Sequence, residues 1–133
     1  MTNREMKSKV MRLGNRLAAQ MDRRDAFVEA WRIVKAQAVS FPIRGVTVGS
    51  RQEALRRLAA CEPSQVRVWT VPEPENPVDP NAVAVWVMVQ GGRGVYRLGY
   101  LPKEQTALAS VFRAASIRVL DGDIRGARVT LTI

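Results

Sequence analysis

The stretch "VPEPENPVDPNAVAVWV" (residues 71–87) joins a proline-stiffened polar loop to an unbroken apolar run, and it decides the fold of this chain. The loop holds four prolines, three acidic residues and two asparagines. Asn and Asp beside proline favour turns, because their side chains accept hydrogen bonds from nearby backbone amides. The apolar run is rich in β-branched residues and predicts a central strand that is covered on both faces. We therefore expect a tight loop that leads into the middle of a sheet.

Shorter stretches on both sides of this run also have strand patterns. "QVRVWT" alternates before the loop, and "VYRLGYL" follows the tight turn "GGRG" as a hairpin partner. "FPIRGVTV" precedes them, and "SIRVL" and "ARVTLTI" follow, on either side of the turn "DGDIRG". In the last stretch Val129, Leu131 and Ile133 alternate with polar residues. The pattern predicts about six strands.

Two short helices are predicted between these strands. Ser50 and Glu53 have the spacing of a capping box, so Ser50 is expected to cap a helix in "SRQEALRRLAA". Pro102 suits the first position of a second helix. The expected buried faces consist of Leu55, Leu58 and Ala59 in the first helix, and of Leu108, Val111, Phe112 and Ala115 in the second.

The first part of the chain predicts a helical hairpin over residues 4–37, with the polar connector "MDRRD" between its helices. Apolar residues recur there at steps of three or four, which is typical of one helix face. A DNA-binding helix-turn-helix is a weaker alternative to a plain helical hairpin, because a third helix and a clear recognition helix are missing from the pattern. The expected buried stripes are Met6, Val10, Leu13, Leu17 and Met21 in the first helix, and Phe27, Ala30, Trp31 and Val34 in the second.

Together these patterns predict an α+β fold, in which a small β-barrel or strongly curved sheet of about six strands and two helices follows an α-helical hairpin. We expect the hairpin to form one domain (residues 1–38) and the β-rich part a second (residues 41–133). The apolar stripes of the hairpin must be buried against the β-rich part, against each other or against a partner chain.

Composition excludes several kinds of chemistry. The chain has no histidine and one cysteine, Cys61, so it has no His-based triad, no His or thiolate zinc site and no intrachain disulfide. Asp121 and Asp123 are weak evidence for Mg²⁺, because hairpin-turn chemistry explains both of them. We therefore expect no cofactor and no enzymatic activity. Nothing approaches the length of an apolar membrane span, and a cytoplasmic protein is expected.

The net charge of +9 favours an anionic partner, most commonly nucleic acid. The excess is spread along the chain, so a disordered basic arm is not indicated. Arg51, Arg56 and Arg57 share the first predicted short helix and are candidates for phosphate contacts, although a solvated helix face is an equally ordinary explanation.

From about residue 43 to residue 133, the chain resembles the HIRAN domain family. The motifs that carry the resemblance are "GVTVGSRQEAL", "EPENPVDPNAVAV" and "LGYLPKEQTALA". The resemblance implies a small β-barrel related to OB and SH3-like barrels, and it implies DNA binding. Some members of the family hold the 3′ end of single-stranded DNA. The chain looks like the stand-alone members of bacteria and phage.

The resemblance also implies site residues. Asn76 and Asp79 match the loop that faces the DNA end, and Gly99, Tyr100 and Lys103 match the opposite wall of the same pocket. A carboxylate accepts a hydrogen bond from a 3′-hydroxyl and repels an internal phosphodiester. Lys103 would stand beside a helix N-terminus, which suits phosphate, and Tyr100 would stack on a base.

The chain departs from the DNA-binding eukaryotic members at two places. Where those members have an arginine and two aromatic residues, this chain has Thr47, Val48 and Gly49, and Val78 replaces an aromatic residue of the loop. Trp69 and Trp86 are expected in the core rather than in a stacking surface. Tyr100 is therefore the main aromatic candidate for stacking.

We expect a non-enzymatic DNA-binding module that recognises single-stranded DNA or 3′ ends in replication or repair. The alternative is an interaction adaptor, in which the N-terminal helices bind a replication or repair protein or a second copy of the chain. The adaptor hypothesis rests on the apolar stripes of the hairpin.

Overall fold

The structure, a computed structural model, describes residues 2–46, 51–92, 94–122 and 125–132. Within these ranges the fold is α+β, as predicted, with three α-helices and six strands. The helices are α1 (Asn3–Leu17), α2 (Arg23–Ala36) and α3 (Arg51–Ala59), with 3₁₀ helices at Pro63–Gln65 and Lys103–Ser110. The strands are β1 (Ala38–Pro42), β2 (Val66–Pro72), β3 (Val83–Val89), β4 (Tyr96–Tyr100), β5 (Arg113–Val119) and β6 (Ala127–Thr132).

The N-terminal hairpin is present as predicted, and each of its helices begins at a side-chain cap. Thr2 Oγ1 accepts a hydrogen bond from the Glu5 amide at 3.1 Å, and Asp22 Oδ2 accepts one from the Arg24 amide at 3.1 Å. These caps satisfy backbone N–H groups that have no partner inside the helix. Gly14 faces the Phe27 ring so closely that a Cβ there would lie 2.6 Å from two ring atoms. A glycine at this position therefore lets α1 and α2 approach each other.

Two residues of the predicted stripes are exposed, contrary to expectation. Met21 is 39% exposed and Trp31 is 38% exposed. Met21 lies in the connector beyond the end of α1, where the helical spacing no longer applies. The buried face of α2 is rotated relative to the predicted stripe. The contact of Phe27 with Gly14 of α1 sets this rotation. These buried residues are Ala26, Ala30 and Ile33, with Val34 beside them.

The six strands follow the predicted order and form two antiparallel sheets, but β1 begins earlier than predicted and contains only Phe41 and Pro42 of the described part of "FPIRGVTV". One sheet has the order β1-β6-β5 and the other has the order β2-β3-β4, so β3 is central as predicted. The strands of the described residues do not form the closed barrel that the sequence predicts. Their ladders end at the sheet edges, and an isolated bridge between Arg44 and Tyr100 joins the segment after β1 to β4. The relation to OB and SH3-like barrels stays a prediction.

The second predicted helix is a 3₁₀ helix that ends before Phe112. The amides of Val111 and Phe112 both bond to the Leu108 carbonyl, at 3.2 and 2.9 Å, and this turn leads directly into β5. Leu108, Val111 and Phe112 are buried as predicted, but Ala115 is an exposed residue of β5. In α3, Leu55 and Leu58 are buried and Ala59 at the helix end is exposed. The predicted Ser50 cap and Ile133 lie outside the described residues.

One apolar cluster runs through the hairpin and both sheets. Leu13 and Leu17 of α1 belong to it together with Leu98, Val129 and Leu131 of the strands. The hairpin is thereby packed on the β-rich part, with α1 beside the 3₁₀ helix Lys103–Ser110 and α2 beside β1. The division into two domains stays a prediction. Among the described residues, none of the helices has the length and apolar character needed to span a membrane.

Candidate nucleic-acid interface

The loop between β2 and β3 is shaped by its own asparagine and aspartate. Asn76 Oδ1 accepts hydrogen bonds from the Val78 and Asp79 amides at 2.9 and 3.1 Å. Asp79 Oδ1 accepts one from the Asn81 amide at 2.9 Å. Both side chains therefore have the turn-forming role that their place beside proline favours. Most of the bonding capacity of Asn76 is used within the loop, whereas Asp79 Oδ2 has no bond to the described residues.

A carboxylate that the sequence did not single out ties this loop to β4. Glu73 Oε1 accepts hydrogen bonds from Asn76 Nδ2 and from the Tyr100 hydroxyl, each at 3.0 Å. Arg97 Nη1 lies 3.5 Å from the other oxygen, Glu73 Oε2. The hydrogen bond from Asn76 is the main cause of the lowered pKa of Glu73. Burial opposes this effect, and Tyr100 and Arg97 lower the pKa further. Nothing in the local sequence marks Glu73, since its partners in β4 are more than twenty residues away.

The predicted loop and wall residues line one open cavity of about 520 Å³, which we call the Asp79 cavity. Asn76 and Asp79 come from the loop, Tyr100 from the end of β4 and Lys103 from the start of the 3₁₀ helix. The structure thus brings together four of the residues that the resemblance implied. Its further lining residues are Arg44, Val78, Ala82, Leu101, Glu104 and Thr106.

Arg44 is a cavity residue that the sequence did not reveal. Its backbone forms a two-way bridge with Tyr100, with N–O distances of 2.8 and 2.9 Å. This bridge places an exposed arginine on the same cavity as Lys103 and Asp79. The cavity therefore combines two cationic side chains with the carboxylates of Asp79 and Glu104.

Tyr100 and Asn76 also line a second, more open cavity. The guanidinium of Arg97 lies 5.6 Å from the ring centroid, and Arg97 lines only the second cavity, together with Glu73. A register shift in β3 opposite β4 pairs Arg97 with Trp86 and Tyr100 with Ala84, so both side chains lie on one face of the sheet. Bulges of this kind redirect side chains. One face of the Tyr100 ring is thus covered by Arg97.

Gly99 does not line the cavity, although the resemblance placed it at the site. A Cβ on this buried residue would overlap the Arg44 carbonyl oxygen and lie 2.8 Å from Ile43 Cγ2. The residue lets the segment after β1 lie directly against β4. Gly99 therefore acts on the cavity by allowing Arg44 to approach Tyr100.

The arginines of α3 lie away from this cavity. Arg51 Nη1 donates to the Gly45 carbonyl at 2.6 Å, and Arg57 pairs with Glu53 at 2.8 Å, one helical turn away. Arg56 is exposed. None of the three is among the described residues that line the Asp79 cavity. Their predicted contact with phosphate stays a prediction.

Two further candidates, Trp69 and Trp86, are paired in the sheet, and several others lie outside the described residues. Trp69 and Trp86 face each other across β2 and β3, where both are half-buried, and the buried Trp86 Nε1 lacks a hydrogen-bond partner among the described residues. Thr47, Val48, Gly49 and Asp123 lie outside the described residues. The described residues contain no group of three or more acidic, Cys or His side chains that could hold a metal ion.

The hairpin keeps some apolar surface that the fold does not cover. Val28 is 65% exposed and Met11 is 51% exposed, in addition to Trp31. The predicted use of the hairpin for binding a replication or repair protein, or a second copy of the chain, stays a prediction.

The fold and the cavity define a small, basic α+β domain with an open pocket of mixed charge, which is the character of a binding module. A family model described as "HIRAN domain" matches residues 43–131, and the chain belongs to this family. The match covers both sheets from the segment after β1 onwards, and it leaves out the N-terminal hairpin. HIRAN domains are generally associated with DNA binding. No curated protein and no solved structure is significantly similar to the chain.

Proposed function

We propose that this chain is a non-enzymatic module that binds single-stranded DNA, with a free 3′-hydroxyl end in the Asp79 cavity. The observation that carries the proposal is that one loop carboxylate, Asp79, lines a single open cavity together with Arg44 and Lys103. Replication and repair produce strand ends of this kind, and we propose that the chain acts there, in the cytoplasm.

Asp79 supports recognition of a hydroxyl rather than a phosphate. Its Oδ1 is held by the Asn81 amide, which orients the carboxylate, and its Oδ2 is left to accept a hydrogen bond from a ligand. A terminal phosphate at the same place would face a like charge, whereas a neutral hydroxyl would not.

The two cations support binding of the strand behind the terminal hydroxyl. Arg44 presents a planar guanidinium that suits a phosphate, and Lys103 is an exposed ammonium at the first turn of the 3₁₀ helix. Tyr100, which lines the cavity, supports stacking of one base, which contributes about 1–3 kcal/mol in comparable sites. Val78, 92% exposed at the rim, adds apolar surface but no second aromatic ring.

The proposal is tested by fluorescence anisotropy with two single-stranded oligonucleotides that differ only in a 3′-hydroxyl or a 3′-phosphate. We expect the 3′-phosphate to weaken binding at least about fivefold at low salt, because two like charges 4 Å apart cost about 1 kcal/mol even in bulk water. Asp79→Asn should reduce this preference, since the amide keeps an oxygen for the Asn81 amide but has no charge. Asp25→Asn, an exposed position on α2, is the matched control and should leave the preference unchanged.

Equal binding of both oligonucleotides by the wild-type protein would remove the claim that the cavity recognises a 3′ end. Absence of binding to either one would remove the DNA-binding proposal itself.

A further inference from the structure

A second groove of about 780 Å³ lies between α1 and the loop that precedes β3. On one side it is lined by Ala19 and Gln20 of the connector and by three residues of α1, namely Arg12, Asn15 and Arg16. Their spacing of three and four positions places them on a single helix face. Pro72, Pro74 and Pro80 belong to the opposite wall, and Thr106 and Ser110 of the 3₁₀ helix also line the groove.

This groove adjoins the Asp79 cavity. Ala82 and Thr106 line both of them, so the two spaces meet at these residues. A strand whose end lies beside Asp79 would therefore pass over these residues to reach α1.

The charge of the groove differs from that of the cavity. Its lining residues include two arginines, Arg12 and Arg16, and no carboxylate, whereas the cavity has Asp79 and Glu104. Arg12 Nη1 lies 3.5 Å from the Ser110 carbonyl, a long hydrogen bond that directs the guanidinium across the groove. Arg16 is exposed, and neither arginine forms an ion pair with the described residues.

Arg12 and Arg16 belong to α1, a helix that is firmly packed against the rest of the protein. Leu13 and Leu17, which follow Arg12 and Arg16 by one position, are buried in the cluster that α1 shares with both sheets. The helix face that carries the arginines is therefore held in a constant position relative to the cavity. Charges that are held in place before binding require little ordering of the protein when the ligand arrives.

We infer that α1 extends the nucleic-acid interface, and that the phosphates behind the terminal nucleotide follow the groove and contact Arg12 and Arg16. This inference rests on the proposed function, because it assigns the path of the same strand beyond the Asp79 cavity. The hairpin lies outside the residues that match the HIRAN model, so the added contact belongs to this chain's own N-terminal segment.

The test compares two 3′-hydroxyl oligonucleotides with the same terminal sequence, one of about 4 and one of about 12 nucleotides, which span the usual site sizes of single-strand binding modules. The variant Arg12→Ala/Arg16→Ala removes the groove charges in the full chain. Arg4→Ala/Arg24→Ala is the matched control, because it removes two exposed arginines of the same hairpin that do not line the groove.

We expect the groove variant to bind the long oligonucleotide about 5–10 times more weakly than the wild-type protein, and to bind the short one unchanged. Its log–log salt slope for the long oligonucleotide should fall by about 1.4, which is two contacts at about 0.7 each for a single strand. Arg12→Lys/Arg16→Lys should keep the salt slope, because lysine retains the charge. Unchanged circular dichroism and melting temperature would show that the groove variant is folded.

The inference is wrong if the groove variant and the matched control have the same affinity and salt slope for the long oligonucleotide. The proposed function would survive that result. The preference of the protein for a 3′-hydroxyl over a 3′-phosphate on the short oligonucleotide reports on the Asp79 cavity alone. A wild-type protein that binds neither oligonucleotide would overturn both.

Discussion

At the scale of single residues, Glu73 holds the candidate site together. Its side chain is 22% exposed and links the loop residue Asn76 to Tyr100 and Arg97 of β4. Since both donors of Glu73 Oε1 also line the Asp79 cavity, the position of the cavity wall depends on a residue that does not itself line it. Asn76 accordingly works mainly as a structural residue, with its oxygen bonded to two backbone amides and its nitrogen to Glu73.

The lowered pKa of Glu73 predicts a specific acid sensitivity. A carboxylate whose pKa is lower in the folded state stabilises the protein above its unfolded-state pKa of 4.5, and this contribution is lost as the pH falls through the folded-state pKa. Glu73→Gln should therefore lower the free energy of unfolding by about 1 kcal/mol at about pH 7 and by less at about pH 3, because the contribution of the charge is lost as the pH falls through the folded-state pKa. Urea unfolding at both pH values measures the difference.

Glu75→Gln is the control for this experiment, because it removes the same charge from an exposed position in the same loop. It should change the free energy of unfolding little, and equally at both pH values. A Glu73→Gln effect that does not vary with pH would contradict the assigned role of the charge.

At the scale of elements, three successive residues of β4 have three different roles. Leu98 is fully buried in the core, Gly99 permits the close approach of Arg44, and Tyr100 presents its ring to the cavity. The register shift opposite β4 and the bridge from Arg44 to Tyr100 occur within this short strand. The cavity is thus formed where the segment after β1 meets the edge of the second sheet.

We expect Gly99→Ala to lower the free energy of unfolding by about 1–3 kcal/mol, the usual cost of inserting an atom into a packed interior. The added methyl would push the Arg44 carbonyl away, so DNA binding should weaken together with stability. Gly126→Ala is the control, because a Cβ there would lie 3.5 Å from Leu120 Cδ1, an ordinary contact. Denaturant unfolding and anisotropy measure the two effects. A Gly99→Ala protein with the stability and the DNA affinity of the wild type would contradict this role of Gly99.

At the scale of the whole molecule, the hairpin and the β-rich part share their apolar interior. Val10, Leu13 and Leu17 of α1 lie in the same cluster as Val85, Leu98 and Leu131 of the strands. An element that buries its apolar face against another element depends on it for stability. The groove along α1 also exists only because the two parts are packed together.

The shared interior predicts a single cooperative unfolding transition. In the Trp31→Phe protein, the remaining fluorescence comes from Trp69 and Trp86 of the β-rich part, while helical circular dichroism comes mainly from α1 and α2. The two signals should have the same urea midpoint, because coincident transitions by different probes are the mark of two-state unfolding. Leu13→Ala should shift both midpoints together and cost about 2–5 kcal/mol. Separate midpoints would indicate that the hairpin is an independent domain.

Much of the fold and part of the site could be predicted from the sequence. The alternating stretches and the helical spacing are local patterns, so the hairpin, the six strands and the central place of β3 were predictable. The motifs around Asn76, Asp79, Tyr100 and Lys103 pointed to residues that do line one cavity. The rotation of α2, which buries Ile33 and exposes Trp31, was not predictable, because it depends on how Phe27 meets Gly14 across the hairpin.

The sequence by itself therefore determined the elements, their order, the basic charge and the family, because these depend on neighbouring residues and on composition. Only the tertiary structure decided that Glu73 organises the site, that Arg44 joins Asp79 and Lys103, and that Arg12 and Arg16 face a groove next to the cavity. These relations are contacts between distant parts of the chain, such as that of Arg12 with Ser110, 98 positions away. Contacts of this kind arise when the chain packs, and a local sequence pattern does not predict them.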